Sequence, residues 1–340
     1  MGTNVQLEYD GAVSGAGGAT YSCDKMQLIF RLRRDEPQRL LDTLAAALWL
    51  EYDHWASYRF GTYRNQFRIV CGDGASFWLG VGLVGNGQSR PDCSCKVEFN
   101  PNKVGQARPL RWLLRQLWHR ASLVEPCRCK QWDLAVDWPE PREWYTLAKD
   151  ARLYEEYRAS RADRTQYVGA RNKPGRCKLY NKQVESGLAA PMTRLELTVG
   201  GLATAAQVAA LWPVVYRLRD VQASAEVAAL NDTDRFILAT LLDAPDRLQE
   251  LGRRKRQRFA GLLDASGYRV ALDAVAYDAV LRGVTAWTQP PAPDVDGLDR
   301  AAWEWVGCDP AYRPEVRAWP GEVDELTKAG LTTGGDDGAQ

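Results

Sequence analysis

The feature that most constrains the fold is a change of hydrophobic period at Gly200-Gly201. Before it, short segments rich in aromatic and β-branched residues recur with a period of two, as half-buried strands require. Such segments are predicted at 26–32, 57–70, 76–83, 95–99, 130–136, 165–168, 176–180 and 193–199. Only two helices interrupt them. Leu40, Leu41, Leu44 and Leu48 share a face over 36–50, and Trp112, Leu113, Leu117 and Trp118 form a stripe over 110–121. A turn is predicted at Asn100-Pro101-Asn102. After Gly201 the period becomes helical to about Leu281, with one helix expected over 232–251. The expected class is α+β, a mainly antiparallel central sheet with flanking helices followed by a helical region. The expected divisions are a flexible arm at 1–22, where Gly11, Gly15, Gly17 and Gly18 crowd together, a sheet domain at 23–200, a helical region at 201–285 and a Pro- and Asp-rich tail at 286–340, disordered from 332.

With 340 residues and 45% hydrophobic content, the chain can bury an ordinary core. The net charge of +1 says nothing by itself, so any nucleic-acid binding must come from local basic patches. The cations are 34 Arg and 10 Lys, a bias that GC-rich coding also produces. No stretch approaches the roughly 20 apolar residues of a membrane span. The first 20 residues lack a basic start and an apolar run, so a cytoplasmic chain with eight reduced cysteines is expected.

Four acids sit on strand-like segments: Glu98, Asp133, Asp137 and Glu196. Asp133 and Asp137 share a face opposite that of Leu134 and Val136. Carboxylates among apolar strand residues are costly unless paired or metal-bound. If their strands are neighbours, they could converge on one cation, and an all-oxygen set favours Mg²⁺ or Mn²⁺. The alternative is that each faces solvent or pairs with a nearby base such as Arg194. Tyr180 lies between Lys178 and Lys182. It reads either as a core tyrosine with its hydroxyl at the rim or as a nucleophile whose phenolate the two lysines help to form.

Five segments in order carry a resemblance: Lys96-Val97-Glu98-Phe99-Asn100-Pro101-Asn102-Lys103, Asp133-Leu134-Ala135-Val136-Asp137, Thr165-Gln166-Tyr167-Val168-Gly169-Ala170-Arg171, Tyr180-Asn181-Lys182 and Arg194-Leu195-Glu196. Together they resemble the Rep_trans family of rolling-circle replication initiators, with related conjugative relaxases, over about 23–199. The resemblance implies an origin-binding, DNA-nicking enzyme that joins a tyrosine to the 5′-phosphate and leaves a free 3′-hydroxyl. It assigns the nucleophile to Tyr180, with Tyr167 in reserve. A metal (Mg²⁺ or Mn²⁺) would be held by Glu98, Asp133 and Glu196, with Asp137 as a fourth ligand. Lys178 and Lys182 would assist the phenolate, and Arg171 would hold a flanking phosphate. The implied partners are double-stranded origin DNA with an exposed single strand, a host helicase and polymerase, and a second copy of the chain. Where the family often has a second acid after its Arg-x-Glu, this chain has Thr198, and Gln131-Trp132 replace the Arg that usually precedes the Asp-Leu-Ala strand. A nicking enzyme of the His-x-His type is excluded, because the two histidines, His54 and His119, lie 65 residues apart. A DNA-binding repressor without nicking is the alternative from another class.

Cys93, Cys95, Cys127 and Cys129 read as buried thiols, with a zinc site as the alternative. Arg253, Arg254, Lys255, Arg256 and Arg258 form a basic run that suits phosphate contacts or a solvated helix face. Trp112, Trp118 and most other tryptophans read as core, with base stacking as the alternative role.

Overall fold

The computed structural model describes residues 12–48, 63–71, 75–83, 93–160, 162–218, 225–243, 245–265, 269–291 and 316–317. The chain is α+β, with antiparallel strand pairing and helices. It divides into two compact units.

The first unit comprises Lys25–Lys130 and the chain from Trp287. Its strands are the second part of β2 (Thr20–Arg31), β3 (Tyr63–Val70), β4 (Ser76–Leu83) and β5 (Ser94–Phe99), in the order β3-β4-β5-β2. A two-residue strand, Val316–Arg317, pairs with β3. The alternation in β5 is regular: Cys95, Val97 and Phe99 are buried, while Ser94, Lys96 and Glu98 turn to the other face. Helix α1 (Glu36–Leu48) buries Leu40, Leu41 and Leu44. Asn100 begins a single helical turn, α2 (Pro101–Val104), where a plain turn is predicted. Its side chain accepts from the amides of Asn102 and Lys103, and Pro101 takes the first helical position. Helix α3 (Arg108–Arg120) buries Leu110, Trp112, Leu113, Leu114 and Leu117, and Trp118 meets Phe30 edge-on.

The second unit comprises Gln131–Ala286 and, among the described residues before Lys25, 12–24. Here β6 (Cys127–Trp138, from Gln131), β11 (Thr193–Gly200), β10 (Cys177–Asn181), β9 (Arg164–Val168) and β8 (Tyr154–Arg158) lie side by side in that order. A two-stranded ribbon joins β7 (Tyr145–Leu147) to β12 (Val215–Arg217). Helices α4 (Lys182–Ser186), α5 (Ala205–Ala209), α6 (Ala225–Ala228), α7 (Asp232–Asp243), α8 (Arg253–Ala265) and α9 (Ala274–Ala286) complete the unit. Leu238, Leu241, Leu242, Phe259 and Leu263 pack a helical core against Tyr216. The single helix expected over 232–251 ends at Asp243, and a 3₁₀ segment begins at Pro245, whose ring cannot continue an α-helix.

The arm expected at 1–22 is corrected for its described part. Residues Ala12–Ser14 form β1, paired antiparallel with the start of β2. Gly17 and Gly18 adopt positive φ of 67° and 76°. They are turn residues of that hairpin, where the sequence alone suggests flexibility. Residues 1–11, the predicted strand start at 57–62, and most of the tail (292–315 and 318–340) lie outside the described residues. No described helix is long and apolar enough to cross a membrane.

Candidate active site

Register builds the site in the second unit. On β11, Arg194 stands opposite Asp137 on β6 and Tyr180 on β10. Glu196 stands opposite Ala135 and Lys178, and Thr198 opposite Asp133. Tyr167 on β9 faces Lys178. Directly opposed residues share a sheet face, so all these side chains project to one side. Leu134, Val136, Leu179, Leu195 and Leu197 project to the other side and are fully buried. Burial of that apolar face fixes the register, because a slip of one residue would turn the polar set into the core.

Tyr180 is only 3% exposed, and its hydroxyl donates to Glu196 Oε1 at 2.6 Å. Burial, then the charge and hydrogen bond of Glu196, hold the phenol well above its ordinary value. The lysines do not reverse this. Lys178 Nζ lies 3.7 Å from the ring centroid and Lys182 Nζ 5.9 Å. Lys182 also pairs with Glu185 at 2.5 Å. Glu196 is raised above the usual carboxylate range, chiefly by burial and further by Asp24 and Asp133, against the pull of Lys178 and the Tyr180 hydrogen bond. A carboxylate with raised basicity, bonded to a hydroxyl, has the arrangement of a general base with its nucleophile.

The four carboxylates do not gather as expected. Among the described residues no three His, Cys, Asp or Glu side chains are grouped as metal ligands. Glu98 lies in the first unit, ion-paired with Lys25 and with Lys96 at 3.2 Å. Burial would raise its carboxyl, but the two lysines hold it below the ordinary range. Asp137 receives the fork of Arg194 at 2.6 and 2.7 Å, and Arg194 reaches Asp24 at 2.9 Å. That leaves Glu196 and Asp133 on one face. Glu196 Oε2 accepts no hydrogen bond from a described residue, and Asp133 accepts from Thr198 Oγ1 at 2.7 Å. A pair of carboxylates suits Mg²⁺, which keeps several waters and takes other oxygens from a phosphate substrate. Two of the four acids are thus held by cations, and two remain on one face, bonded to the Tyr180 and Thr198 hydroxyls.

Tyr167 shares the face of this pair, and burial, with Glu196's charge as a lesser cause, raises its phenol. Tyr167 has the Arg176 guanidinium 4.6 Å from its ring centroid and Tyr157 edge-on, and its hydroxyl makes no hydrogen bond to a described residue. Arg171 is exposed and pairs with Glu155 at 3.4 Å. On α8, Arg253, Arg254 and Lys255 are exposed and make no ion pair among the described residues. Arg256 bonds the Leu251 carbonyl at 3.0 Å, and Arg258 pairs with Asp234 at 2.7 Å, so these two serve the local fold. No disulfide joins the seven described cysteines. Of the four expected buried thiols, Cys95 and Cys129 are buried while Cys93 and Cys127 are partly exposed, and desolvation pushes the Cys127 and Cys129 thiols up to about 12.

Sequence reasoning missed Arg142, which is 1% exposed and donates to the carbonyls of Arg164, Tyr145 and Leu179 and to Gln166 Oε1. It ties β9 and β10 together from the side opposite the polar face, and burial lowers it to about 9. No periodicity announces such a residue. Asp24 was missed as well, because its partner is 170 positions away. Thr198 was visible as a departure from a pattern, and its role is to hold Asp133.

No family model matches the chain, and no curated protein matches it. Among solved structures, the rolling circle replication initiator protein from Geobacillus stearothermophilus is similar, with 15% identity over 72% of this chain and 97% of that chain, at a TM-score of 0.32.

Proposed function

We propose that the chain nicks DNA by tyrosine transesterification, as a rolling-circle replication initiator. The observation that carries this is the 2.6 Å bond from the Tyr180 hydroxyl to a partly buried carboxylate of raised basicity. The five ordered motifs supply the substrate class.

Because Tyr180 is held above its ordinary value, no phenolate stands ready at neutral pH. The proton must leave as the oxygen attacks, and Glu196 is the group positioned to take it. The Tyr180 oxygen forms its bond to phosphorus in line with the departing 3′-oxygen. The bond from phosphorus to the 3′-oxygen breaks, and the 3′-oxygen takes a proton from water. The 5′-phosphate stays on Tyr180, and the phosphodiester energy stays in that link, so religation needs no nucleotide cofactor. The ammonium groups of Lys178 and Lys182 lie over the ring on flexible stems. They must swing aside for the phosphate to reach the oxygen, and they then stand beside its charge.

A divalent ion, Mg²⁺ or Mn²⁺, would be held by Glu196 and Asp133 and would supply charge stabilisation at the non-bridging oxygen. Arg171 is assigned a flanking phosphate, and Arg253, Arg254 and Lys255 the origin duplex. Host helicase and polymerase act on the free 3′-end, and a homodimer is part of the same reading. The test is incubation with supercoiled origin DNA. Conversion to open circles carrying covalently bound protein is expected, and binding without any nicked product would leave a repressor.

A further inference from the structure

The first unit holds a groove of about 370 Å³, lined among others by Tyr63, Trp78, Lys96, Glu98, Arg128 and Lys130. That volume is within the ~300–1,000 Å³ of ligand sites. A glycine lies against its two aromatic rings. A Cβ at Gly80 would come within 2.4 Å of the Trp78 ring and 2.7 Å of the Tyr63 ring, so only glycine lets the two rings lie across the strand there. The rings meet edge-on at 5.6 Å, and Lys96 Nζ stands 4.7 Å from the Trp78 ring centroid. Arg68, opposite Trp78 in the register, adds a cation on the same face. The one carboxylate of the lining, Glu98, is already neutralised by Lys25 and Lys96. Arg128 and Lys130 are exposed at the rim.

Aromatic walls within a ring of cations are the chemistry of single-strand recognition, in which bases lie against rings and phosphates meet ammonium and guanidinium groups. We infer that this groove binds a segment of single-stranded DNA, with an unpaired base at the exposed edges of the largely buried Tyr63 and Trp78 rings and its phosphates at Arg128 and Lys130. The occupant's identity as DNA rests on the nicking reading; the groove's preference for an unpaired anionic chain with bases rests on the groove itself.

The experiment is fluorescence anisotropy of a labelled 15-nucleotide oligo-dT over a salt series, in the full chain carrying Tyr180→Phe so that no chemistry intervenes. Replacing Arg128 and Lys130 with Ala, both on the surface, should weaken binding at least tenfold. It should also flatten the log–log salt slope by about 1.4, or ~0.7 for each phosphate no longer neutralised. Trp78→Leu should weaken binding roughly 5- to 100-fold. An unchanged affinity and slope in the surface double variant overturns the inference, and so does an equal loss on a blunt duplex of the same length. A parent chain that nicks origin DNA while these variants bind normally removes this inference alone. A chain that fails to nick but loses oligo-dT binding in the variants removes the nicking reading alone.

Discussion

At Glu196 two demands oppose each other. The side chain is packed among β-strands, where its charge is costly, yet the proposed chemistry needs it ionised. A carboxyl raised by burial favours the protonated fold, so its stabilising contribution exists below the ordinary glutamate value of ~4.3 and is lost as pH rises through the raised value. At neutral pH the ionised group is therefore a burden on stability. Glu196→Gln keeps an acceptor for Tyr180 and removes the charge. We expect this variant to melt no lower than the parent at pH 7, to bind DNA normally, and to cleave about 10²- to 10⁴-fold more slowly. In the parent, cleavage should fall with decreasing pH at a point above the range of an exposed glutamate. A rate that stays flat down to about pH 4.5, near the ordinary glutamate value, would remove Glu196 as the base. Asp137 is a different case, because its charge is matched by the Arg194 fork. Asp137→Ala leaves that guanidinium with Asp24 alone, and a loss of about 3–5 kcal/mol in denaturant unfolding is expected. A loss below ~1 kcal/mol, the range of an exposed pair, would show that the pair is dispensable to the fold.

At the level of elements, α8 begins with Arg253, Arg254, Lys255 and Arg256 and has no acid in its first turn. Cations there oppose the positive end of the helix dipole, so the helix itself gains nothing from them. Replacing Arg253, Arg254 and Lys255 with Ala should leave the melting temperature unchanged or slightly higher. Duplex binding should weaken, and its log–log salt slope should fall by about 0.9 for each phosphate that these side chains neutralise. An unchanged slope would make this face merely solvated. The strands of the site were legible because their outer faces carry Asp, Glu, Arg and Lys at every second position and their inner faces Leu and Val. β11 could be placed almost to the residue in this way, and β4 by its aromatic and β-branched run. β7, β8 and β12 were not read, since each is short and its stability comes from a partner strand. The β1 hairpin escaped for a different reason, because glycines permit both disorder and left-handed turns and only the partner strand decides.

For the molecule as a whole, the sequence placed Tyr180 and Glu196 in separate motifs, and antiparallel pairing of β10 with β11 brings them together. It also suggested four carboxylates at one ion. Two of these found cationic partners, Asp137 with Arg194 and Glu98 with two lysines, pairings that no local pattern encodes. The remaining pair suits Mg²⁺ or Mn²⁺, so EDTA should stop nicking and either ion restore it. Asp133→Asn should raise the metal concentration needed, and full activity in chelated buffer would detach the carboxylates from metal binding. The central claim is that Tyr180 becomes covalently joined to DNA, and a labelled suicide oligonucleotide tests it directly. Tyr180→Phe deletes one oxygen and keeps the ring, so origin binding and fold should persist while the covalent adduct disappears. Tyr167→Phe should still form the adduct, because the carboxylate of Glu196 is hydrogen-bonded to the Tyr180 hydroxyl and not to that of Tyr167. An adduct retained by Tyr180→Phe and abolished by Tyr167→Phe would contradict the assignment, and an adduct retained by both would contradict tyrosine chemistry at this site.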